Sequence, residues 1–296
     1  MDIETLAFQV GDAFYVIGAL ILVIEIGEML FKGEFRAKTF WEMVASASTQ
    51  IPYVLVETLI LTGAYGLYWV IAEATPWSIP VAAWSLVAVV ILADITYYWE
   101  HRIAHEVRLL WTQHAVHHSS RDMNIVTGFR FGPLEGLWSL VAHVPLAFMG
   151  FAPEAIIFGV IVVLAYQTWL HTELIGKMGV LEWVLNTPSH HRVHHGSDEK
   201  YLDKNYGGIL IIWDRIWGTF QIEEETPRYG LKRDFDSQNP VRVWFSELPE
   251  LFKDLAKANS FREVMGYLFK EPGWTPKEHD KGQAKDQVEN PSATRL

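Results

Sequence analysis

The chain contains no cysteine in 296 residues. That excludes a disulfide framework, a thiolate-held zinc or iron–sulfur centre, and a thiol nucleophile. It also lacks a basic tract. With 24 Lys and Arg against 35 Asp and Glu, the formal charge is -11, and no stretch is available to neutralise phosphates. Nucleic-acid binding is excluded on that ground. The start, Met1-Asp2-Ile3-Glu4, lacks the positive region of a secretory signal peptide, so none is expected. What the chain has instead is apolar and aromatic residues, 13 Trp among them, and 12 His. This composition predicts a membrane enzyme with a polar, histidine-rich portion.

A membrane-crossing helix needs about 20 mostly apolar residues. Three stretches qualify: 14–31, with Glu25 and Glu28 near its end; 51–72, with Glu57; and 79–99, with Asp94. A fourth apolar region, 134–170, is interrupted by Gly150-Phe151-Ala152-Pro153, a turn signal, and reads as a hairpin of two short arms. Residues 1–13, 73–78 and 150–153 carry no Lys or Arg. A single topology therefore puts all 24 basic residues on one side, with 32–50, 100–132 and 173–296 in the cytoplasm. The expected fold is all-α: an integral membrane bundle of three spans plus a helical hairpin, under a cytoplasmic histidine-rich helical cap. Residues 1–99 would form the spans and 100–232 the catalytic region with its hairpin. A helical segment would follow at 233–274 and a disordered polar tail at 275–296. Within the helical segment, 241–258 and 261–269 show helical periodicity with apolar faces.

Carboxyl groups in hydrocarbon are costly and usually face a bundle interior or a cavity. Glu28 fits an interfacial position at a span end. Asp94 stands seven residues before His101, about two helical turns, and is expected to support that histidine from the face they share.

Eleven of the 12 His lie between 101 and 195, mostly in three boxes. They are His101 and His105; His114, His117 and His118; and His191, His194 and His195, preceded by His190. On a helix, residues at i, i+3 and i+4 share one face. An i, i+4 pair can reach one cation and the i+3 member a neighbouring one. Burying so many imidazoles without a cation would leave donors and acceptors unpaired, at about 1–3 kcal/mol each. His143, alone in the hairpin, reads as a packed residue, and His279 as a solvated one. Haem takes one or two axial side chains and cannot use this set. Two metal ions with four or five ligands apiece fit it, and imidazole chemistry leaves iron, zinc and copper open.

The boxes and their surroundings resemble the fatty acid hydroxylase superfamily, also called the sterol desaturase family, and within it the alkylglycerol monooxygenase branch. The resemblance rests on Tyr97-Tyr98-Trp99-Glu100-His101-Arg102-Ile103-Ala104-His105-Glu106, on His117-His118-Ser119-Ser120 and on Trp169-Leu170-His171-Thr172-Glu173. It continues through Asn186-Thr187-Pro188-Ser189-His190-His191-Arg192-Val193-His194-His195-Gly196, Asp203-Lys204-Asn205-Tyr206-Gly207-Gly208 and Ile212-Trp213-Asp214-Arg215. It implies a membrane-bound non-haem diiron oxygenase that hydroxylates a C–H bond of a lipid or other long apolar substrate with O2. A desaturase using the same site, or a non-catalytic metal-binding membrane protein, are the alternatives. The implied iron ligands are His101, His105, His114, His117, His118, His171, His191, His194 and His195. Glu106 would orient a ligand or touch a metal, and His190, Asn205, Tyr206 and Asp214 would support the ligands. The implied partners are a lipid-like substrate from the bilayer and an external electron donor, with tetrahydrobiopterin as the donor suggested by this branch. After Asn124-Ile125-Val126-Thr127 the branch continues Ala-Leu-Arg-Gln, whereas this chain reads Gly128-Phe129-Arg130-Phe131. Arg121 and Arg130 are candidates for binding an anionic headgroup.

Overall fold

The computed structural model describes residues 3–276, and the described residues are helical, joined by loops and two isolated bridge pairs. The long apolar stretches become α1 (Ile3–Lys32), α3 (Gln50–Ala74) and α4 (Ala83–Glu106), all long and apolar enough to cross a membrane. A short α2 (Ala37–Ser48) connects the first two. Their outward faces are unburied and apolar, with Leu20, Val23, Leu59, Val70, Trp84 and Val87 each more than half exposed. In water such a surface would be untenable; against lipid it is the expected one. The inward faces pack small residues. Val89 and Ala93 of α4 lie against Gly159 of α8 (Pro153–Tyr166), where a Cβ would come within 3.1 Å of the Val89 carbonyl, so that the two backbones approach closely. Such small-residue seams hold helices together where lipid supplies no hydrophobic drive.

Between α4 and α8 lie α5 (Arg108–His118), α6 (Glu135–Ala142) and α7 (Val144–Phe148). The first arm of the predicted hairpin is therefore two short helices rather than one. Pro145 has no N–H to give Val141 and its ring crowds that carbonyl, so the helix stops at His143. The chain turns at Gly150, and Pro153 opens α8.

The polar half continues with α9 (Pro188–His194) and α10 (Ile212–Trp217). It ends in α11 (Pro240–Trp244), α12 (Leu248–Leu255) and α13 (Phe261–Phe269). The periodic run at 241–258 is thus broken, because Pro249 cannot donate back across residues 245–247. Of the predicted tail, residues 277–296, including His279, lie outside the described residues.

Candidate metal centre

Three helices and one loop deliver the histidines. The last two turns of α4 present His101 and His105, α5 presents His114, His117 and His118, and α9 leads to His191, His194 and His195. His171 comes from the loop after α8. All nine are buried and fall into two groups: His101, His105, His114, His118 and His194, and His117, His171, His191 and His195. In each group one nitrogen per ring lies within 4.8 Å of every other. Each i, i+4 pair stays in one group, and each i+3 member, His117 and His194, crosses to the other.

The outer nitrogens fix which inner atom is free. His101 Nδ1–H donates to the Tyr206 carbonyl at 3.0 Å, His117 to that of Arg130 at 3.1 Å, and His194 to that of Lys204 at 2.9 Å. His114 Nδ1–H donates to Glu135 Oε1 at 2.6 Å. With the proton on Nδ1, each Nε2 carries a lone pair. Yet His101 Nε2 lies 2.9 Å from His114 Nε2. Two lone pairs cannot face each other at that distance without a proton or a cation between them. Two nitrogens bound at right angles to a cation about 2.1 Å away lie about 3.0 Å apart. The other inward pairs agree: His118–His114 3.1 Å, His171–His117 3.1 Å, His191–His171 2.8 Å and His195–His191 3.2 Å. Nε2 of His105 and of His194 is buried with no hydrogen-bond partner among the described residues. The donor set fits two metal ions.

Burial also favours the neutral, ligating form of the rings named next. It holds His117, His118, His191 and His195 well below the ordinary imidazole range, with neighbouring imidazoles adding to the effect. The same desolvation brings His171 and His194 down to about 3.

The remaining sequence candidates sit elsewhere. Asp94 does not bond His101: its carboxylate accepts from Ile209 N–H (2.6 Å), Leu210 N–H (3.1 Å) and Trp213 Nε1–H (2.8 Å). It therefore acts on the loop that offers the Tyr206 carbonyl, not on the imidazole. Glu106 pairs with Arg102 at 2.7 Å, half-exposed, and stands outside both groups. It remains on the rim of a cavity of about 620 Å³ that reaches His105, His118, His194 and His195. His190 is buried edge-on against Phe220, outside both groups, with its pKa lowered to about 4 by burial. His143 hydrogen-bonds the Ser139 carbonyl at 2.9 Å. Asn205 bonds the carbonyls of His190 and Gln221, and Asp214 accepts the N–H groups of Tyr206 and Gly207.

Both arginines pair with carboxylates. Arg130 is fully buried with Nη1 2.5 Å from Glu42, and Arg121 pairs with Asp234 at 2.5 Å. Two of the three changed positions around Arg130 pack on ligands. Phe131 stacks on the His117 ring, and a Cβ at Gly128 would lie 2.7 Å from His171 Nδ1. Sequence reasoning missed Glu135, the carboxylate behind His114. Its 21-residue separation from that histidine belongs to no local pattern, so only its position at the start of an apolar arm hinted at it. It also missed Arg192, which reaches Glu223 by two 2.7 Å bonds and the carbonyls of Thr172 and Ile175 at 2.8 Å.

Residues 86–219 match the family model described as fatty acid hydroxylase, a range that contains all nine histidines. Human alkylglycerol monooxygenase is 41% identical over 201 residues, 68% of this chain and 44% of the relative. The zebrafish (Danio rerio) alkylglycerol monooxygenase is 36% identical over 266 residues, 88% of this chain and 58% of the relative. Ornithine lipid hydroxylase OlsE of Rhizobium tropici is 33% identical over 140 residues, 47% of this chain and 42% of the relative. The chain thus spans about half the length of these relatives. No solved structure matches it significantly. Through residues 86–219, and with the alkylglycerol monooxygenases as its branch, the chain belongs to the fatty acid hydroxylase family.

Proposed function

We propose that the protein is a membrane-bound, non-haem diiron monooxygenase that hydroxylates a C–H bond of a lipid with O2. The observation that carries this reading is the convergence of nine buried imidazoles in groups of five and four. Two irons held there would supply reductive activation of O2, chemistry that side chains lack. The residues of the chain bind, orient and shield. The carbonyls of Tyr206, Arg130 and Lys204 and the Glu135 carboxylate hold the imidazoles with Nε2 inward. His101 and His114 share a small cavity of about 50 Å³ with Tyr97, Leu134 and Trp138. Leu134, which lines this cavity, is half exposed, which supports entry of an apolar chain from the bilayer. Selectivity would then come from the length and shape of that slot, since a hydrocarbon offers no charge to bind.

Residues 100–232 form the catalytic region in this reading, with 233–274 packed over it. The one-sided distribution of Lys and Arg supports three crossings with the histidines on the cytoplasmic side. Reducing equivalents come from an external donor. Tetrahydrobiopterin is the first to test, given the alkylglycerol monooxygenase relatives.

Purified protein reconstituted with iron, an ether lipid or ornithine lipid, and tetrahydrobiopterin should incorporate one atom of isotope-labelled O2 into the lipid. His117→Ala and His194→Ala should abolish this and lower bound iron while leaving the protein in membranes. Full turnover in either variant would refute the reading. A product that has lost two hydrogens and gained no oxygen would make the protein a desaturase.

A further inference from the structure

Two buried carboxylates on the long apolar helices, Glu25 and Asp94, bond to the loops beside the histidine groups. Glu25 lies on α1, which carries no histidine ligand, and is 5% exposed. One of its oxygens accepts from Thr172 Oγ1 at 2.5 Å, and the other from the Ile125 N–H at 3.0 Å. Thr172 adjoins His171. Ile125 opens the short turn 125–129 that ends at Arg130, whose carbonyl receives His117 Nδ1–H. Both contacts of Glu25 therefore lead into the group of four.

Asp94, on α4, is 1% exposed and has all three of its contacts in the loop before and into α10. Gly208 is seated so closely that a Cβ there would come within 2.8 Å of Asp94 Oδ1. With Asp214 holding the N–H groups of Tyr206 and Gly207, this loop is pinned at both ends. It offers the carbonyls of Tyr206 and Lys204 to His101 and His194, both in the group of five. The same physical device recurs: a buried carboxylate on an apolar helix finds its hydrogen-bond donors only in the cap. A charge in such surroundings is strongly destabilised when left unpaired.

Resting on the metal-centre reading above, we propose that Glu25 and Asp94 are positioning residues, each tying one histidine group to its own membrane helix. The two cation sites then depend on different helices, so that each can be weakened while the other stays intact. Partners that hold ligands in place typically contribute 10–100-fold to metal affinity.

The test uses the full chain in detergent micelles, loaded with ferrous iron under anaerobic conditions, with iron release into a chelator followed over time. Wild type should bind two irons per chain. Glu25→Gln should release one of them about 10–100-fold faster and leave the other unchanged. Asp94→Asn should do the same to the other iron, and the double variant should accelerate both. His191→Ala and His105→Ala, one from each group, identify which phase belongs to which site. Should either carboxylate variant fail to enter membranes, Thr172→Val and Trp213→Phe each remove one donor and leave the acid in place. These should act on the same phases, more weakly. Equal acceleration of both phases by a single variant, or no change in any of them, overturns the proposal. If the histidine variants also change nothing, the metal-centre reading itself fails; if they release iron and the carboxylate variants do not, only the positioning role does.

Discussion

The two histidine groups share ligand chemistry but differ in construction and access. The group of five takes His101, His105, His114 and His118 from α4 and α5 and one residue from α9. It touches both cavities: His101 and His114 line the small apolar one, and His105, His118 and His194 the cavity of about 620 Å³. The group of four depends on the loop residue His171 and contributes only His195 to the large cavity. Its rings are instead covered by Phe131, by Gly128 and by the turn that Glu25 holds. The comparison teaches a division of labour. The group of five borders two cavities and suits the approach of reactants, while the group of four is more enclosed and relies on its surroundings for shape.

The most disruptive test of that division is Arg192→Ala. Arg192 fastens α9 to the 171–175 loop and is buried with Glu223. Removing one partner of such a pair costs about 3–5 kcal/mol. Thermal unfolding in detergent should show a large fall, with the group of four losing metal before the group of five. Glu135→Ala probes the open group. Without the carboxylate behind His114, affinity there should drop about 10–100-fold in a chelator competition, while the enclosed group keeps its ion. Gly128→Ala sharpens the contrast from the other side. Its methyl would press on His171, and overpacking of this kind costs about 1–3 kcal/mol. The expected result is faster metal loss from the group of four alone, read by the same competition. Arg121→Ala should do least. Its pairs with Asp234 and Asp236 are exposed, and such pairs contribute about 0–1 kcal/mol. A large destabilisation from this variant would show that the outer loops matter more to the cap than the buried contacts do.

Much of this was legible in the chain itself. The long apolar runs gave three helices long and apolar enough to cross a membrane, and only their ends moved: α1 begins at Ile3 rather than 14, and α4 begins at Ala83 rather than 79. Length and hydropathy are local properties, so they survive folding. The proline breaks were harder to place. Pro145 and Pro249 each split a run that its apolar pattern had joined, because periodicity records which face is apolar and is blind to one missing N–H. Glu106 shows the limit of adjacency: a position next to a ligand does not fix where a side chain points, and this one turns to Arg102.

The residue pattern by itself determined which side chains can share a cation, since i, i+3 and i+4 spacing on a helix is set by backbone geometry. It also pointed to a membrane, because three apolar runs of about 20 residues match the thickness of hydrocarbon. What only the tertiary structure decided is how nine imidazoles divide into five and four, and which groups hold their outer nitrogens. Tyr206 and Arg130 offer backbone carbonyls, which every residue has, and Glu135, Glu25 and Asp94 reach their partners across 21, 100 and 115 residues of chain. Contacts made by common atoms over such separations leave no local signature, and packing alone brings them together.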